Sequence, residues 1–256
     1  RNKSLMKKKL EKNKITVIGL GYIGLPIAIA FSKFYEVIGF DINKERISQL
    51  KLNKDITKEI STKNLKKNKR IKYTSDSNDI KDSNIYIVTV PTPIDRKNLP
   101  DLKILKSVTI LISKYLKKND VVIYESTVYP GATEEVCVPL LASGSKLKFN
   151  QDFFVGYSPE RINPGDNEHR LNEIVKLTSG SDPFSANWID NLYKSIIEKG
   201  TFLVSSIKIA EAAKVIENTQ RDINIALINE LTKIFDLLKI DTLEVLDAAK
   251  TKWNFL

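Results

Sequence analysis

The chain has 256 residues, of which 42% are hydrophobic and 28% charged, and this composition is typical of a globular protein rather than a disordered one. Its formal charge of +10 comes mostly from lysines scattered among polar residues, which favours a solvated surface over a nucleic-acid-binding face. One cysteine excludes an internal disulfide and a cysteine-based zinc site, and no metal is predicted. No apolar run approaches the roughly 20 residues of a membrane-spanning helix, and the N-terminus lacks the apolar core of a signal peptide. These observations predict a cytoplasmic protein without a nucleic-acid or membrane partner.

Short apolar runs typical of strands alternate with segments of helical periodicity from residue 14 to about residue 205. Repeated alternation of this kind predicts an α/β fold with a Rossmann-type, doubly wound and mainly parallel sheet. The predicted strands are Lys14–Gly19, Glu36–Asp41, Arg70–Thr74, Asn84–Val90, Asp120–Glu125, Asp152–Tyr157, Ile174–Thr178 and Thr201–Val204. The predicted helices between them are Ile23–Phe34, Lys44–Leu52, Leu102–Leu116 and Ala132–Leu141.

Beyond the last predicted strand the sequence contains no glycine or proline. A single long helix is therefore predicted from Ile207 to about Leu238, capped by Ser205 or Ser206. A second helix, Thr242–Lys250, follows the cap residue Asp241.

This change of character predicts two parts, residues 1–205 as the sheet domain and residues 206–256 as a connecting helix with the start of a second domain. A long uninterrupted helix that leaves such a domain either connects domains or forms a dimer interface, so we expect a homodimer through it. The chain stops within an apolar segment, Trp253–Leu256, and we expect it to be part of a longer protein.

The first predicted strand is followed by a glycine pattern, Gly19-Leu20-Gly21-Tyr22-Ile23-Gly24, which opens the first helix. In that context Gly19 permits a tight turn, Gly21 lets the backbone approach a diphosphate, and Gly24 allows close packing of helix on strand. The start of the helix, at Tyr22 and Ile23, then offers backbone N–H groups to the phosphates.

An acidic residue, Asp41, ends the second predicted strand about twenty residues further on, where a carboxylate holds the ribose hydroxyls of a dinucleotide. The same charge repels a 2′-phosphate, so NAD is predicted as the cofactor in preference to NADP. Arg46 is a further candidate for cofactor binding, although an exposed helix position is the favoured explanation of this residue.

Short segments that carry hydroxyl side chains follow the fourth and fifth predicted strands, namely Pro91 with Thr92 and Ser126 with Thr127. Because ligands in open α/β sheets bind beyond the carboxyl ends of the strands, these four residues are predicted to touch cofactor or substrate. Taken singly, each segment is equally consistent with a rigid turn.

Three further segments carry groups suited to catalysis. Glu160, which with Arg161 follows a later strand, is a plausible general base. On the long helix Lys214 and Asn218 share a face, and Arg221 lies one turn further on. An ammonium beside an amide suits a site where negative charge develops on oxygen, although an exposed polar stripe is the alternative. Arg161 either contacts a polar group of the substrate or forms a structural ion pair.

Taken together and in this order, six segments resemble the UDP-glucose/GDP-mannose dehydrogenase family, and the resemblance spans about residues 14 to 256. The segments are Gly19–Pro26, Val88–Pro93, Glu125–Gly131, Ser158–Gly165, Ala210–Glu230 and Thr251–Leu256. Within the family the chain looks most like the branch that acts on UDP-N-acetylhexosamines for capsule, O-antigen and other surface polysaccharides, including the Vi-antigen type.

The resemblance implies that C6 of a UDP-N-acetylhexosamine is oxidised to the uronate in two hydride transfers to NAD⁺, by way of a cysteine thiolate. Carried over by motif, Lys214 and Asn218 would stabilise the oxyanion. These two residues, with Glu160, Arg161 and Arg221, are predicted to contact the substrate. Glu160 would activate water for hydrolysis. Thr127 would help to hold that water.

The family's nucleophilic cysteine and its UDP-binding domain lie beyond the counterpart of Thr251–Leu256, so we expect the chain by itself to bind NAD⁺ without forming uronate. Cys137 stands among apolar residues of a predicted helix and is expected to be a buried small side chain. His169, the only histidine, is expected to be a loop or substrate-rim residue.

Three other functions are consistent with parts of the sequence. A 3-hydroxyacid or 6-phosphogluconate type of dehydrogenase also combines such a domain with a lysine- and asparagine-bearing helix, but it transfers one hydride and needs no cysteine. A non-catalytic NAD-binding module would bind the cofactor without turnover. A basic nucleic-acid-binding protein would show salt-sensitive binding to DNA or RNA.

Overall fold

A computed structural model describes residues 13–68, 70–161 and 171–255 of the chain. The chain divides into two compact units, Arg1–Lys214 and Val215–Leu256. The first unit contains the sheet and the helices that cover it, and the second contains most of the long helix and the helix after it. His169 and the last four residues of the Ser158–Gly165 segment lie outside the described residues.

Eight strands form one sheet in the order β3-β2-β1-β4-β5-β6-β7-β8. Neighbouring strands run parallel throughout, except that β6 and β7 are antiparallel. The first six strands have the order of the doubly wound dinucleotide-binding fold, whose order reverses between β1 and β4. The predicted Rossmann-type, mainly parallel sheet is therefore confirmed. The strands are β1 (Lys14–Ile18), β2 (Glu36–Phe40), β3 (Ile71–Thr74), β4 (Ile85–Val88), β5 (Asp120–Tyr124), β6 (Phe153–Tyr157), β7 (Lys176–Gly180) and β8 (Thr201–Leu203).

In the described part of the chain, six α-helices lie between the strands and cover both faces of the sheet. Alternate side chains of β1 and β4 enter two separate apolar cores, one containing Ile85 and Ile87 and the other Tyr86 and Val88. This alternation is the reason why both strands read as nearly continuous apolar runs. The helices are α1 (Gly24–Ser32), α2 (Lys44–Lys51), α3 (Thr62–Lys67), α4 (Lys103–Ser113), α5 (Val138–Ser145) and α6 (Pro183–Lys194).

Some elements differ from the sequence-based predictions. The short α3 and the longer α6 were not predicted. The start of α6 has a capping box, in which the Ser185 N–H donates to the Asp182 side chain and the Asp182 N–H donates to Ser185 Oγ. The helix predicted over residues 132–141 is a π-helical turn, Thr133–Cys137, followed by α5. Pro139 has no amide hydrogen, so a regular α-helical hydrogen-bond ladder cannot run through this segment.

The long helix α7 (Ile207–Leu238) begins in the first unit. Its first turn is capped by Ser206, whose hydroxyl accepts from the Ile209 N–H at 3.3 Å, as predicted. One turn later the fully buried Glu211 carboxylate accepts from Gly131 N–H at 2.5 Å and Thr133 N–H at 2.9 Å. The start of α7 is thereby tied to the turn that follows β5.

The second unit consists of the rest of α7 and helix α8 (Thr242–Lys250). Asp241 caps α8 as predicted, because its carboxylate accepts from Leu243 N–H at 2.7 Å and Glu244 N–H at 3.1 Å. Large apolar side chains remain exposed along this unit, among them Ile216, Ile223, Leu237, Leu243 and Trp253.

We expect Glu211→Gln to lower the free energy of unfolding by about 2 kcal/mol, because an amide presents only one acceptor oxygen to two buried N–H donors. Lys208→Met is the matched control, since it removes an exposed ion pair with Glu135 from the same turn of α7 and should cost less than about 1 kcal/mol. Urea unfolding of both variants tests this. Equal losses of stability would contradict a special role for the Glu211 carboxylate.

Candidate functional site

The carboxyl ends of four neighbouring parallel strands meet at one edge of the sheet. The glycine turn follows β1, Thr89–Thr92 follows β4, Glu125–Thr127 follows β5 and Ser158–Glu160 follows β6. The strand order reverses between β1 and β4, and it is at such a point that open α/β sheets bind ligands. The predicted site residues that follow strands β1 to β6 are thus brought to one edge.

The glycine turn needs glycine at two positions for different reasons. Gly19 has φ +94°, in the left-handed region that a side chain disfavours. Gly24 has no room for a Cβ, because the Gly19 carbonyl oxygen and the Thr89 hydroxyl lie against it. Thr89 Oγ1 donates to the Gly19 carbonyl at 2.7 Å and so holds the turn against β4.

Gly21, at the tip of the turn, is exposed, and a Cβ built on it would meet nothing within 4 Å. Tyr22 beside it is 45% exposed, and Ile23 is half-buried. Among the described residues, no side chain caps the first turn of α1 that starts here. Open space above a glycine, next to helix N–H groups that no side chain satisfies, fits the diphosphate of a dinucleotide.

Asp41 lies one residue after β2 and is tied directly to the glycine turn. Its Oδ2 accepts from Leu20 N–H at 2.8 Å, and its Oδ1 accepts from Asn43 N–H at 2.9 Å. The carboxylate is half-buried and stands between β1 and β2. This is the position from which a carboxylate can bind ribose hydroxyls.

The expectation that Arg46 is an exposed helix residue is wrong. Arg46 is 6% exposed, its Nε donates to the Leu20 carbonyl at 2.9 Å, and its Nη2 lies 2.8 Å from Asp55 Oδ1. Helical periodicity could not identify Asp55 as a partner because it lies in the loop after α2. The guanidinium therefore supports the glycine turn from within the protein.

The Arg46–Asp55 pair is part of a small polar cluster. Burial alone would raise the pKa of Asp55, but hydrogen bonds from Thr57, from the Ile60 N–H and from Arg46 outweigh burial, and the pKa lies below its ordinary value. Asp55 is therefore ionised at neutral pH and neutralises Arg46.

Two hydroxyl groups join the loops after β4 and β5. Thr92 Oγ1 donates to the Thr127 carbonyl at 2.5 Å, and Ser126 Oγ donates to the Val90 carbonyl at 2.6 Å. Ser126 is buried, whereas Pro91 and Thr127 are exposed. The two loops thus form one bridged rim, on which the Thr127 side chain faces solvent.

Glu160 and Arg161 lie just after β6, the strand next to β5 in the sheet. Glu160 is 4% exposed, and its Oε1 accepts from the Arg161 N–H at 2.6 Å. The Arg161 guanidinium donates through Nη1 to the Val175 carbonyl at 2.8 Å. A buried carboxylate just beyond the end of a parallel strand is unusual, which makes Glu160 a candidate functional group.

Next to Glu160 lies a buried ionic cluster that the sequence-based reasoning missed. Lys176 Nζ lies 2.5 Å from Glu125 Oε2 and 3.6 Å from Glu160 Oε2, and Tyr193 OH donates to Glu125 Oε1 at 2.5 Å. A glutamate at the end of an apolar strand and a lysine within another were the available signals, since buried charges must be paired.

The electrostatics of this cluster follow from burial and from opposite charges. Burial alone would lower the pKa of Lys176, but Glu125 and Glu160 outweigh burial and the pKa is raised, so the ammonium stays protonated. Burial raises the pKa of Glu125, an effect that Lys176 opposes. Burial and the adjacent Glu125 raise the pKa of Tyr193 well above its ordinary value, so its hydroxyl remains a donor.

On α7 the half-buried Lys214 is the last residue of the first unit. Asn218 and Arg221 belong to the second unit, where Arg221 Nη2 donates to Asn218 Oδ1 at 2.8 Å. Their shared helix face agrees with the sequence spacing. The approach of these residues to Glu160 stays a prediction.

Cys137 is fully buried, as predicted, and burial raises the pKa of its thiol to about 11. Such a thiol is not ionised at neutral pH and is a poor nucleophile. Among the described residues, no three His, Cys, Asp or Glu side chains are grouped so as to hold a metal ion. None of the helices in the described ranges has both the length and the apolar character needed to cross a membrane.

The strand order, the glycine turn and Asp41 together define a dinucleotide-binding domain of the Rossmann type. The chain belongs to the UDP-glucose/GDP-mannose dehydrogenase family: the family's NAD-binding domain matches residues 13–197, and its central domain matches residues 208–255. The resemblance found in the sequence and the prediction of NAD as cofactor are thereby confirmed.

Individual relatives are similar over nearly the whole chain. The chain is 58% identical over 243 residues to a UDP-N-acetyl-D-glucosamine 6-dehydrogenase of Pseudomonas aeruginosa, covering 95% of the chain and 58% of that protein. It is 55% identical over 247 residues to the enzyme of the same name from Salmonella typhi, covering 96% of this chain and 58% of that protein. The structure of a UDP-D-ManNAc dehydrogenase from Pyrococcus horikoshii superposes with a TM-score of 0.86 at 34% identity. The superposition covers 94% of this chain and 58% of that one. The chain thus spans somewhat more than half the length of these relatives.

We expect Gly21→Ala and Gly24→Ala to affect binding and stability differently. A methyl group on Gly21 meets open space, so Gly21→Ala should change stability by less than about 0.5 kcal/mol. Because that methyl group occupies the path of the diphosphate, NAD⁺ affinity should fall about tenfold or more. Gly24→Ala forces the turn away from β4 and should cost about 2 kcal/mol of stability as well.

Urea unfolding and calorimetric titration with NAD⁺ measure the two effects separately. Undiminished NAD⁺ affinity in a correctly folded Gly21→Ala protein would contradict diphosphate binding at this turn.

Proposed function

We propose that the protein to which this chain belongs oxidises C6 of a UDP-N-acetylhexosamine to the uronate with two NAD⁺, and that this chain supplies the NAD-binding part. The observation that carries the proposal is the buried Glu160 carboxylate, which follows β6 at the same sheet edge as the glycine turn. The 58% identity to a UDP-N-acetyl-D-glucosamine 6-dehydrogenase supports this substrate class. Uronates of this kind are building blocks of surface polysaccharides such as capsule and O-antigen, which is the role we infer.

The overall reaction converts a primary alcohol, two NAD⁺ and one water into a carboxylate, two NADH and three protons. When bound, NAD⁺ supplies the hydride acceptor for both oxidations. The protein must therefore bind the dinucleotide, stabilise negative charge on the C6 oxygen and activate one water molecule.

The cofactor contacts are assigned to the sheet edge. Gly19, Gly21 and Gly24, with the N–H groups of Tyr22 and Ile23, would bind the diphosphate, and Asp41 would bind the adenosine ribose. The bridged rim formed by Pro91, Thr92, Ser126 and Thr127 would line the nicotinamide half. Arg46 would act on the cofactor indirectly, through its bond to the Leu20 carbonyl.

The catalytic roles follow the chemistry of each group. Glu160 would act as the general base toward water, and Thr127 would help to hold that water. The two residues follow β5 and β6, whose backbones are neighbours about 5 Å apart in a sheet. Lys214 and Asn218 would stabilise the C6 oxyanion, and these residues with Arg161 and Arg221 would contact polar groups of the substrate.

The nucleophilic thiol must come from outside the 256 residues. Cys137 is the only cysteine of the chain, and its full burial and raised pKa make it unsuitable for attack on an aldehyde. We therefore infer that the chain alone binds NAD⁺ but forms no uronate.

We also propose the division into an NAD-binding part, residues 1–205, and a connecting helix with the start of a central domain, residues 206–256. The family matches, which end at residue 197 and resume at residue 208, support this boundary. The exposed apolar side chains along the second unit, such as Ile216 and Ile223, support a homodimer formed through α7. The single buried cysteine is suited to a reducing compartment and supports a cytoplasmic location.

We expect the 256-residue chain to bind NAD⁺ yet to release no NADH with UDP-N-acetylglucosamine, and the protein at the full length of its relatives to release two NADH per sugar. In that longer protein Glu160→Gln should lower turnover at least about 100-fold without changing NAD⁺ affinity. Absorbance at the NADH band, referred to the sugar consumed, measures both expectations.

A yield of one NADH per substrate would instead favour the single-step dehydrogenase class. If the 256-residue chain itself releases two NADH per sugar, the inference that the nucleophilic thiol lies outside these residues is wrong. Salt-sensitive nucleic-acid binding in place of NAD⁺ binding would refute the proposal as a whole.

A further inference from the structure

We propose that Lys176 is a positioning residue for Glu160, and that Glu125 and Tyr193 hold Lys176 in place for this task. The proposal deepens the proposed function, because it rests on Glu160 acting as the general base. None of these three residues has a role in the cofactor and catalytic assignments made above.

The geometry shows one ammonium that connects the ends of neighbouring strands. Lys176 begins β7, and its Nζ donates to the Pro159 carbonyl at 3.0 Å, just beyond the end of β6. From there it reaches Glu125, which follows β5 on the far side of β6. The same ammonium lies 3.6 Å from Glu160 Oε2. A single side chain thus fixes the carboxyl ends of β5 and β6 relative to each other.

Burial makes this arrangement energetically necessary. Lys176, Glu125 and Glu160 are 3%, 0% and 4% exposed, so two carboxylates share one cation with almost no solvent to screen them. Removal of one partner from a buried pair leaves an uncompensated charge, which is strongly unfavourable. Lys176 therefore supplies an opposite charge beside the Glu160 carboxylate, at a place where solvent cannot supply one.

Glu125 and Tyr193 determine where the ammonium sits. Tyr193 OH donates to one oxygen of Glu125, and Lys176 Nζ bonds to the other, so the Glu125 carboxylate is fixed at both oxygens. The ammonium also lies 5.6 Å from the centroid of the Tyr193 ring, within the range of a cation–π contact.

The charged and titratable groups that the structure places around Glu160 include Arg161 on the same segment, Glu125 after β5, Lys176 on β7 and Tyr193 on α6. Arg161 is turned toward the Val175 carbonyl by its own hydrogen bond. The Lys176 ammonium, in contrast, lies 3.6 Å from the Glu160 carboxylate, so its removal takes away an opposite charge beside that group.

The test compares Glu125→Gln with the double variant Glu125→Gln, Lys176→Met, which differ only at residue 176. Because Glu125 is neutral in both variants, neither variant contains two buried carboxylates without a cation. Methionine preserves the length of the lysine side chain. The side-chain carboxyl signals of the chain, labelled with carbon-13 at glutamate, are followed by NMR from pH 3 to pH 9. The Glu160 signal is assigned by its loss in a Glu160→Gln version of each protein.

The double variant should show the Glu160 carboxyl titrating about 1 to 3 pH units higher than Glu125→Gln does, because it has lost an opposite charge within 4 Å. NAD⁺ affinity within about twofold in both proteins, by calorimetry, verifies that the fold is retained. Titration at the same pH in both proteins would overturn the proposal, since a purely structural lysine would leave Glu160 unaffected.

A kinetic comparison separates this inference from the proposed function. In the protein at the length of its relatives, the acid limb of turnover should move to higher pH by the same amount in the double variant, with the KM for NAD⁺ unchanged. If the titration of the Glu160 carboxyl shifts but the acid limb of the turnover profile does not, Glu160 is not the general base. The inference that Lys176 acts on Glu160 would still stand. An absence of turnover with any UDP-sugar before mutation would refute the proposed function alone.

Discussion

One buried ammonium group, that of Lys176, lies between two carboxylates where β5, β6 and β7 come together. Because the cluster is buried, the ammonium must stay close to both carboxylates, and each member constrains the strand end that carries it. Glu160, the proposed base, is positioned by this constraint. The sheet edge at which we propose that the cofactor binds is therefore preorganised by ionic contacts beneath it.

Further hydrogen bonds on both sides extend the constraint to the rest of the edge. On one side, the Thr92 and Ser126 hydroxyls join the loops after β4 and β5, and Thr89 holds the glycine turn. On the other, Glu211 ties the start of α7 to the turn after Tyr129, only a few residues beyond Thr127. Lys214 follows less than one helical turn later. The glycine turn, Glu160 and the start of α7 are thus all held at the ends of the same central strands.

The sequence predicted best what local patterns determine. The glycine turn, Asp41 and the helix caps at Ser206 and Asp241 have fixed spacings, and the structure places each in its expected local environment. Arg46 was misjudged because its partner, Asp55, lies in a loop outside the helical pattern. Lys176 and Glu125 were missed because they are 51 residues apart and only the sheet order makes them neighbours. Long-range pairing of buried charges is what a single sequence does not reveal.

We propose that the glycine turn and Glu160 face one dinucleotide from the same sheet edge. The most direct test is a crystal structure of the chain with NAD⁺ bound. We expect the diphosphate against Gly21 and the first turn of α1, the adenosine ribose hydroxyls on Asp41, and the nicotinamide ring beside Thr127 and Glu160. A nicotinamide ring bound away from the ends of β5 and β6, or an adenosine ribose that does not touch Asp41, would contradict this arrangement of the site.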